Sequence, residues 1–462
     1  MLFDTIALTL FALIAIPVAL GISVKAPQVV ALSLIGVLFM FSSSSWGQLQ
    51  VENTIYSRGV GVLSFSLLNV LLFIAGAAVL IRKLADPIYP RLAPPLSAYF
   101  WGFSFLLLAH VLVGVISGVD VLVALSYTGI INVLNMMIFM YLAIMAFRDE
   151  KNRRALIAVI IVLAAIRAVF GIVRYVWFDG DSANPYRNFE GLDIKILFFD
   201  IADNFVASLA AFLAAWLLTS PMIRLSALKR IALYLFLALE VAAVALSFRR
   251  ASLIGMALMF AFLVYRLPRR RRLQFMLLGA AMLFVAATVF FQQRLQYNTS
   301  GNFFSGLIYD ISSEKKPLLE GRFYELWAAA QSIGSDWLFG LGTWGTFRGD
   351  QQLLDYHLGR FNFVHSGFGH IVLKTGLVGL ALFCGLLFKF ARYYFRHCNF
   401  LSGHARLLAD AGFAGLLFWL PTLLIGTPII EFRTMLLIGL TMALPFIAVG
   451  MQTYRPANHV VA

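Results

Sequence analysis

Apolar stretches of about 20 residues, the length that crosses a bilayer, recur along the whole chain between short polar connections. In the first half they predict membrane helices near Thr5–Ile22, Val29–Phe41, Gly61–Ile81, Ala98–Ile116, Tyr127–Phe147, Ala155–Phe178 and Phe199–Leu218. The second half gives Ile231–Ser247, Ala251–Tyr265, Phe275–Phe291, Ser366–Phe390, Leu407–Ile425 and Thr434–Val449. One long polar interval breaks the series after Phe291, and it ends in FVHSGFGHIVLKTGLVGL, Phe363 to Leu380, where the next span begins. The expected fold class is an all-α polytopic membrane protein with about 12–13 transmembrane helices and one large helical external loop. Residues 1–291 carry membrane helices with short loops, 292–365 the large loop and 366–462 the C-terminal helices, forming one integral membrane domain.

Composition agrees with this reading. The 462 residues are 61% hydrophobic and only 13% charged, with a mean hydropathy of +0.87, which excludes a soluble protein, whose charged fraction is about 25%. The formal net charge of +14 gathers in alternate connections, at Arg82, Lys83 and Arg91, at Arg148 to Arg154, at Arg224 to Arg230, at Arg266 to Arg272 and at Arg392 to Arg406. Short basic loops of this kind stay in the cytoplasm. Parity then puts the interval after Phe291 outside, with Asp179 to Phe198 as a smaller external loop, the N-terminus outside and the C-terminus inside. The charge is thereby assigned to topology, and nothing calls for a nucleic-acid partner. Cys384 and Cys398, the two cysteines, suggest neither a disulfide framework nor a metal site.

Several cations break the rule that orients the helices. Arg249 and Arg250 interrupt an apolar run, Leu233 to Tyr265, that is too short for two full spans and a loop, so they lie at or just below the outer surface. Arg167 and Arg174, seven residues apart, share one helix face in the outer half of their span. An arginine at the centre of a membrane helix costs about 2.5–3.5 kcal/mol on insertion scales, so each needs a partner. One reading supplies an internal carboxylate from Glu240, Asp200, Asp203 or Glu431. The other supplies a phosphate, which the planar guanidinium holds through two hydrogen bonds at once.

Within the external interval, PLLEGRFYELWAAAQSIG has the spacing of an amphipathic helix, with Phe323, Leu326, Trp327, Ala330 and Ile333 on one side, and is expected to lie on the membrane surface until Gly334 ends it. Gly340, Gly342 and Gly345 follow in SDWLFGLGTWGTF, which lacks the strand and Lys-Ser/Thr ending of a nucleotide loop and reads as a tight turn packed by Trp337, Phe339 and Trp344. His365 precedes a membrane helix on the outer side. The pKa of a free imidazole, about 6.5, suits a general base acting on a hydroxyl. His357 and His370 compete for that role.

These residues resemble a known family. RFYELWAAAQSIGSDWLFGLGTWGTF resembles the arginine–tryptophan helix and aromatic-Gly-hydrophobic-Gly turn of the bacterial O-antigen ligase and polymerase superfamily. HSGFGHIVLKTGLVGL is similar to its histidine motif, and SFRRASLIG, Ser247 to Gly255, to its serine-arginine-small motif at an outer helix end. The chain departs from the pattern where Phe248 and Arg249 separate Ser247 from the best-fitting arginine, and where Ser366 replaces the usual asparagine.

The resemblance implies an inverting, metal-independent glycosyltransferase without a cofactor, in the bacterial inner membrane with its site facing the periplasm. Its donor would be a glycan on undecaprenyl diphosphate. Its acceptor would be a lipid-linked repeat unit for a polymerase, to which the histidine motif leans, or lipid A-core for a ligase. A serine on a pilin-like protein is a third option. Carried over, Arg250 with Arg249 and Arg322 would hold the diphosphate and His365 would deprotonate the acceptor; membrane placement adds Arg174 and Arg167 as diphosphate ligands. The rival from another class is a transporter or flippase for an anionic lipid, which calls for paired repeats and a cationic path to the cytoplasm.

Overall fold

The computed structural model describes residues 15–42, 56, 66–85, 96–125, 130–181, 195–220, 223, 225–268, 271–273, 276, 321–349, 360–426 and 428–450. Its first helices are α1 (Ala15–Lys25), α2 (Pro27–Met40), α3 (Leu67–Ala85), α4 (Ser97–Ile116), the short α5 (Val121–Leu125) and α6 (Asn132–Ala146). They continue as α7 (Glu150–Trp177), α8 (Ile201–Thr219), α9 (Ala227–Ala245) and α10 (Arg250–Arg266). Then come α11 (Gly321–Ile333), β1 (Phe347–Arg348), β2 (Arg360–Phe361), α12 (Gly367–His397), α13 (Gly403–Ile425) and α14 (Phe432–Val449). The protein is an all-α polytopic membrane protein.

Seven described helices, α3, α4, α7, α8, α12, α13 and α14, are long and apolar enough to cross a membrane. Of the two spans expected before residue 42, residues 1–14 lie outside the described residues, and the described part forms α1 and α2, bent by 107° as in a broken span or a re-entrant loop. Pro27 causes the break, because its ring and missing N–H end one helix and suit the first turn of the next. The span expected at Phe275–Phe291 lies outside the described residues. Elsewhere the apolar runs and the helices agree within a few residues.

Burial separates the bundle into a centre and a rim. Membrane-length windows of α8 and α14 are 89% and 94% buried, against 22% for α3, so α8, α13 and α14 form the axis while α3 and α4 face lipid. Their cores interlock through Phe205, Phe418 and Trp419, with the Phe205 and Trp419 ring centroids 4.6 Å apart. Gly255 lets α10 lie close against α13, where a Cβ would come 2.6 Å from the Phe418 carbonyl. The last turns of α3, α10 and α12 carry Arg82 and Lys83, Arg266, and Arg396 and His397. Those cations suit both the helix dipole and a cytoplasmic end.

Candidate active site

Helix α11 packs on protein through a different face from the one its apolar spacing suggested. Tyr324, Ala328, Ala329 and Ile333 pack with Phe347, Phe361, Val364 and Leu373 in a small core of their own, and Trp327 is left exposed. The buried face is rotated from the expected one because the first turns of α12 pack against α11 and offer it a partner. The ladder of β1 and β2, pairing Phe347 with Phe361, closes this core.

Gly334 ends α11 with a φ of 53°, as expected, and the glycine turn that follows docks onto a break in α12. At Gly376 the α12 backbone leaves helical geometry, with a φ of 63°. The freed amides of Leu377 and Val378 donate to the Trp337 and Leu338 carbonyls at 2.9 and 3.1 Å, while Leu341 N donates to the Leu373 carbonyl at 2.8 Å. A Cβ on Gly376 would sit 2.4 Å from the Leu338 carbonyl oxygen, so only glycine permits this approach. The buried Lys374 fastens the far side, donating from Nζ to the Gly345 carbonyl at 2.5 Å. Of the three aromatics expected to pack the turn, Trp344 does so, against Gly114 of α4, whereas Trp337 and Phe339 are exposed.

His365 stands where this platform meets α12. Its Nδ1 is 2.9 Å from both carboxylate oxygens of Glu325 on α11. The imidazole side chain is 45% exposed and the carboxylate only 5%. The buried acid therefore occupies Nδ1 and leaves Nε2 facing outward. Ser366 caps α12, its Oγ accepting from Gly369 N at 3.1 Å. Serine and asparagine are near-equivalent N-caps, which explains the serine at this position. His370 is 1% exposed inside the bundle, and His357 lies outside the described residues. Glu325 is the candidate site residue that sequence reasoning passed over among the dispersed acids. The signal was its position three residues after Arg322 in the sequence, a helical spacing.

Arg249 and Arg250 form the sharp junction from α9 to α10, as N-cap and first residue of α10. Phe248 turns the chain with a φ of 51°, and Ser247 stabilises the junction by donating to the Ala243 carbonyl at 2.7 Å and accepting from Phe198 N at 3.2 Å. The Arg249 guanidinium lies 4.0 Å from the centre of the Phe199 ring. Two cations at the positive end of a helix dipole oppose it, and an anion there is favoured by both. Nearby Glu431, before α14, has its carboxyl pushed up to about 7 by burial and by Asp200, with Thr434, Arg249 and Arg433 pulling the other way.

Helix packing sets both parts against α13. Gly255 abuts Phe418, and α10 and α13 run in opposite directions, so Arg250 lies near the level of Leu423. Gly367, two residues after His365, packs on that same Leu423. His365 and the Arg249–Arg250 junction thus lie at a similar level along α13, towards its Ile425 end.

Arg167 and Arg174 have carboxylate partners. Arg167 meets Asp203 through Nε and Nη2 at 3.1 and 2.7 Å, and its Nη1 donates to the Met40 carbonyl at 3.1 Å. Arg433 holds Asp200 and Asp203 at 2.7 and 2.6 Å and donates from Nε to the Leu38 carbonyl at 2.7 Å. Arg174 pairs with Asp181 at 2.8 Å, which in turn accepts from Phe199 N at 2.9 Å. Three arginines thus face three aspartates, and the network fixes the segment that carries Phe199 beneath Arg249. Among the described residues no group of three or more His, Cys, Asp or Glu is placed to hold a metal.

Residues 233–384, from α9 into α12, match the family described as O-antigen ligase. They take in His365, Glu325, Arg249, Arg250 and Arg322. This part of the chain is thus similar to the O-antigen ligase family, and the match together with the bundle supports a membrane enzyme of glycan transfer. No curated protein matches the chain.

Proposed function

We propose that this chain, which is similar to the O-antigen ligase family over residues 233–384, is an inverting, metal-independent glycosyltransferase at the periplasmic face of the bacterial inner membrane. It moves a glycan from undecaprenyl diphosphate to the hydroxyl of a lipid-linked repeat unit, acting as a polymerase. The observation that carries this reading is the His365–Glu325 pair, an exposed imidazole held by a buried carboxylate 2.9 Å away.

Glu325 accepts from Nδ1–H and so fixes the tautomer in which Nε2 has its lone pair free. Nε2 removes the acceptor hydroxyl proton as the oxygen attacks the anomeric carbon. On the opposite face of the sugar the bond to the carrier diphosphate breaks, its electron pair leaving with the phosphate oxygen. Arg249, Arg250 and Arg322, with the N-terminus of α10, stabilise that developing charge, and Glu325 stabilises the imidazolium. Arg167 and Arg174 act beneath the site, balancing the aspartates that position Phe199. A second reading takes lipid A-core as the acceptor, which makes the protein a ligase, the activity in the matched family's description, by the same chemistry.

Reconstituted His365→Ala should lose transfer while binding the donor normally, and Arg250→Ala should lose both. Near-normal turnover by His365→Ala would remove the base assignment, and unchanged donor affinity in both Arg249→Ala and Arg250→Ala would make that junction structural.

A further inference from the structure

The apex of the glycine turn carries Trp337, Leu338 and Phe339, each between 42% and 56% exposed. Three consecutive large apolar residues exposed to this degree are unusual on a surface that faces water. Their depth is set by the helices they dock on. Gly102 of α4 packs on Leu382 of α12, and Gly385 of α12 packs on Tyr99 of α4. The two helices run in opposite directions in constant register, which puts Gly376 level with Leu108. That is eight residues, or about 12 Å, short of the outer end of α4 at Ile116.

The flanks of the apex are the lipid-facing faces of these same helices. On α12 the exposed positions Leu377, Ala381, Cys384 and Phe388 form one stripe, and its topmost member is hydrogen-bonded to Trp337. On α4 the stripe is Trp101, Phe105, Leu108 and Leu112, all exposed. The apex continues both stripes without a polar interruption. Ser335 and Asp336, also exposed, precede it.

We propose that residues 335–345 form a re-entrant turn whose Trp337, Leu338 and Phe339 side chains insert into the hydrocarbon of the bilayer leaflet on the His365 side. The occupant of this apolar surface is lipid. Because the turn is locked to the α12 break and follows directly from α11, its insertion sets the height of the Glu325–His365 pair above the membrane, where a lipid-borne substrate presents its head.

Nitroxide labelling in liposomes tests this without reading turnover, so its failure and that of the transferase reading are separable. The native Cys384, exposed on the α12 stripe, serves as the lipid reference, while Cys398 is buried and stays unlabelled. In a Cys384→Ala background, Phe339→Cys reports the apex and Gln331→Cys, exposed on α11, the aqueous reference. Collision with oxygen, which concentrates in hydrocarbon, is compared with collision with a nickel chelate, which stays in water. The label at Phe339 should favour oxygen several-fold more than the label at Gln331 and rank with Cys384. Nickel accessibility equal to that at Gln331 would overturn the proposal. Should Phe339→Cys not fold, Leu338→Cys carries the same two outcomes.

Discussion

Replacing Glu325 by glutamine changes the fewest atoms while attacking the base directly. The carboxylate accepts from Nδ1–H at 2.9 Å and is only 5% exposed, so no water readily takes its place. The introduced amide would offer an N–H to Nδ1 as readily as its carbonyl oxygen. It would thereby stabilise the tautomer with the proton on Nε2, which cannot accept the hydroxyl proton. General-base assistance contributes about 10²- to 10⁴-fold, equivalent to roughly 3–5.5 kcal/mol at 1.36 kcal/mol per tenfold. In Glu325→Gln kcat should fall by about that factor, with donor KM changed little because the substitution leaves the arginine junction intact. Glu325→Asp, one methylene shorter, should not rescue, since its oxygens no longer reach Nδ1. The assay is transfer from an undecaprenyl-diphosphate oligosaccharide by reconstituted protein, with donor binding measured in parallel. A Glu325→Gln enzyme with turnover close to wild type, or one whose loss lies wholly in donor binding, would refute the reasoning.

Other parts of the molecule give equally definite expectations. Asp203→Asn leaves Arg167 and Arg433 without their shared buried carboxylate, so it should cost about 3–5 kcal/mol, read as a fall in the thermal midpoint of the detergent-solubilised protein. Gly376→Ala meets both a positive φ and the Leu338 carbonyl, with about 1–3 kcal/mol from backbone strain alone; limited proteolysis should then cut the 335–345 turn, which the wild type protects. The Glu431 carboxyl, raised to about 7, binds its proton more tightly folded than unfolded, so its contribution to stability is present below the ordinary glutamate range and lost as pH rises through 7. Its charge above 7 also competes for Arg249 with an anionic donor. Donor affinity should therefore fall between about pH 6 and pH 8, and Glu431→Gln should flatten that dependence.

The helices were legible because lipid demands long apolar runs, and a run such as Ala98–Ile116 leaves little freedom of interpretation. His365 and the Arg249–Arg250 pair were visible for the opposite reason, as polar groups where hydrophobicity predicts none. Glu325 was not, because an acid on a surface helix is ordinary until the fold brings His365 against it across forty residues of sequence. The same holds for Arg167 and Arg174. Their membrane depth showed that each needed a partner, and only the packing of α7 against α8 and of the 195–200 segment identified Asp203 and Asp181. The face of α11 was misjudged because spacing reports which side is apolar, not what lies beneath it.

The central claim is metal-free transfer of a carrier-linked glycan by a histidine base. Its most direct test incubates the purified protein in liposomes with an undecaprenyl-diphosphate oligosaccharide and a chelator, with and without lipid A-core, and sizes the products on a gel. The account predicts longer carrier-linked chains without any added acceptor. Transfer only in the presence of lipid A-core would make the protein a ligase, and no transfer to either acceptor would contradict the account.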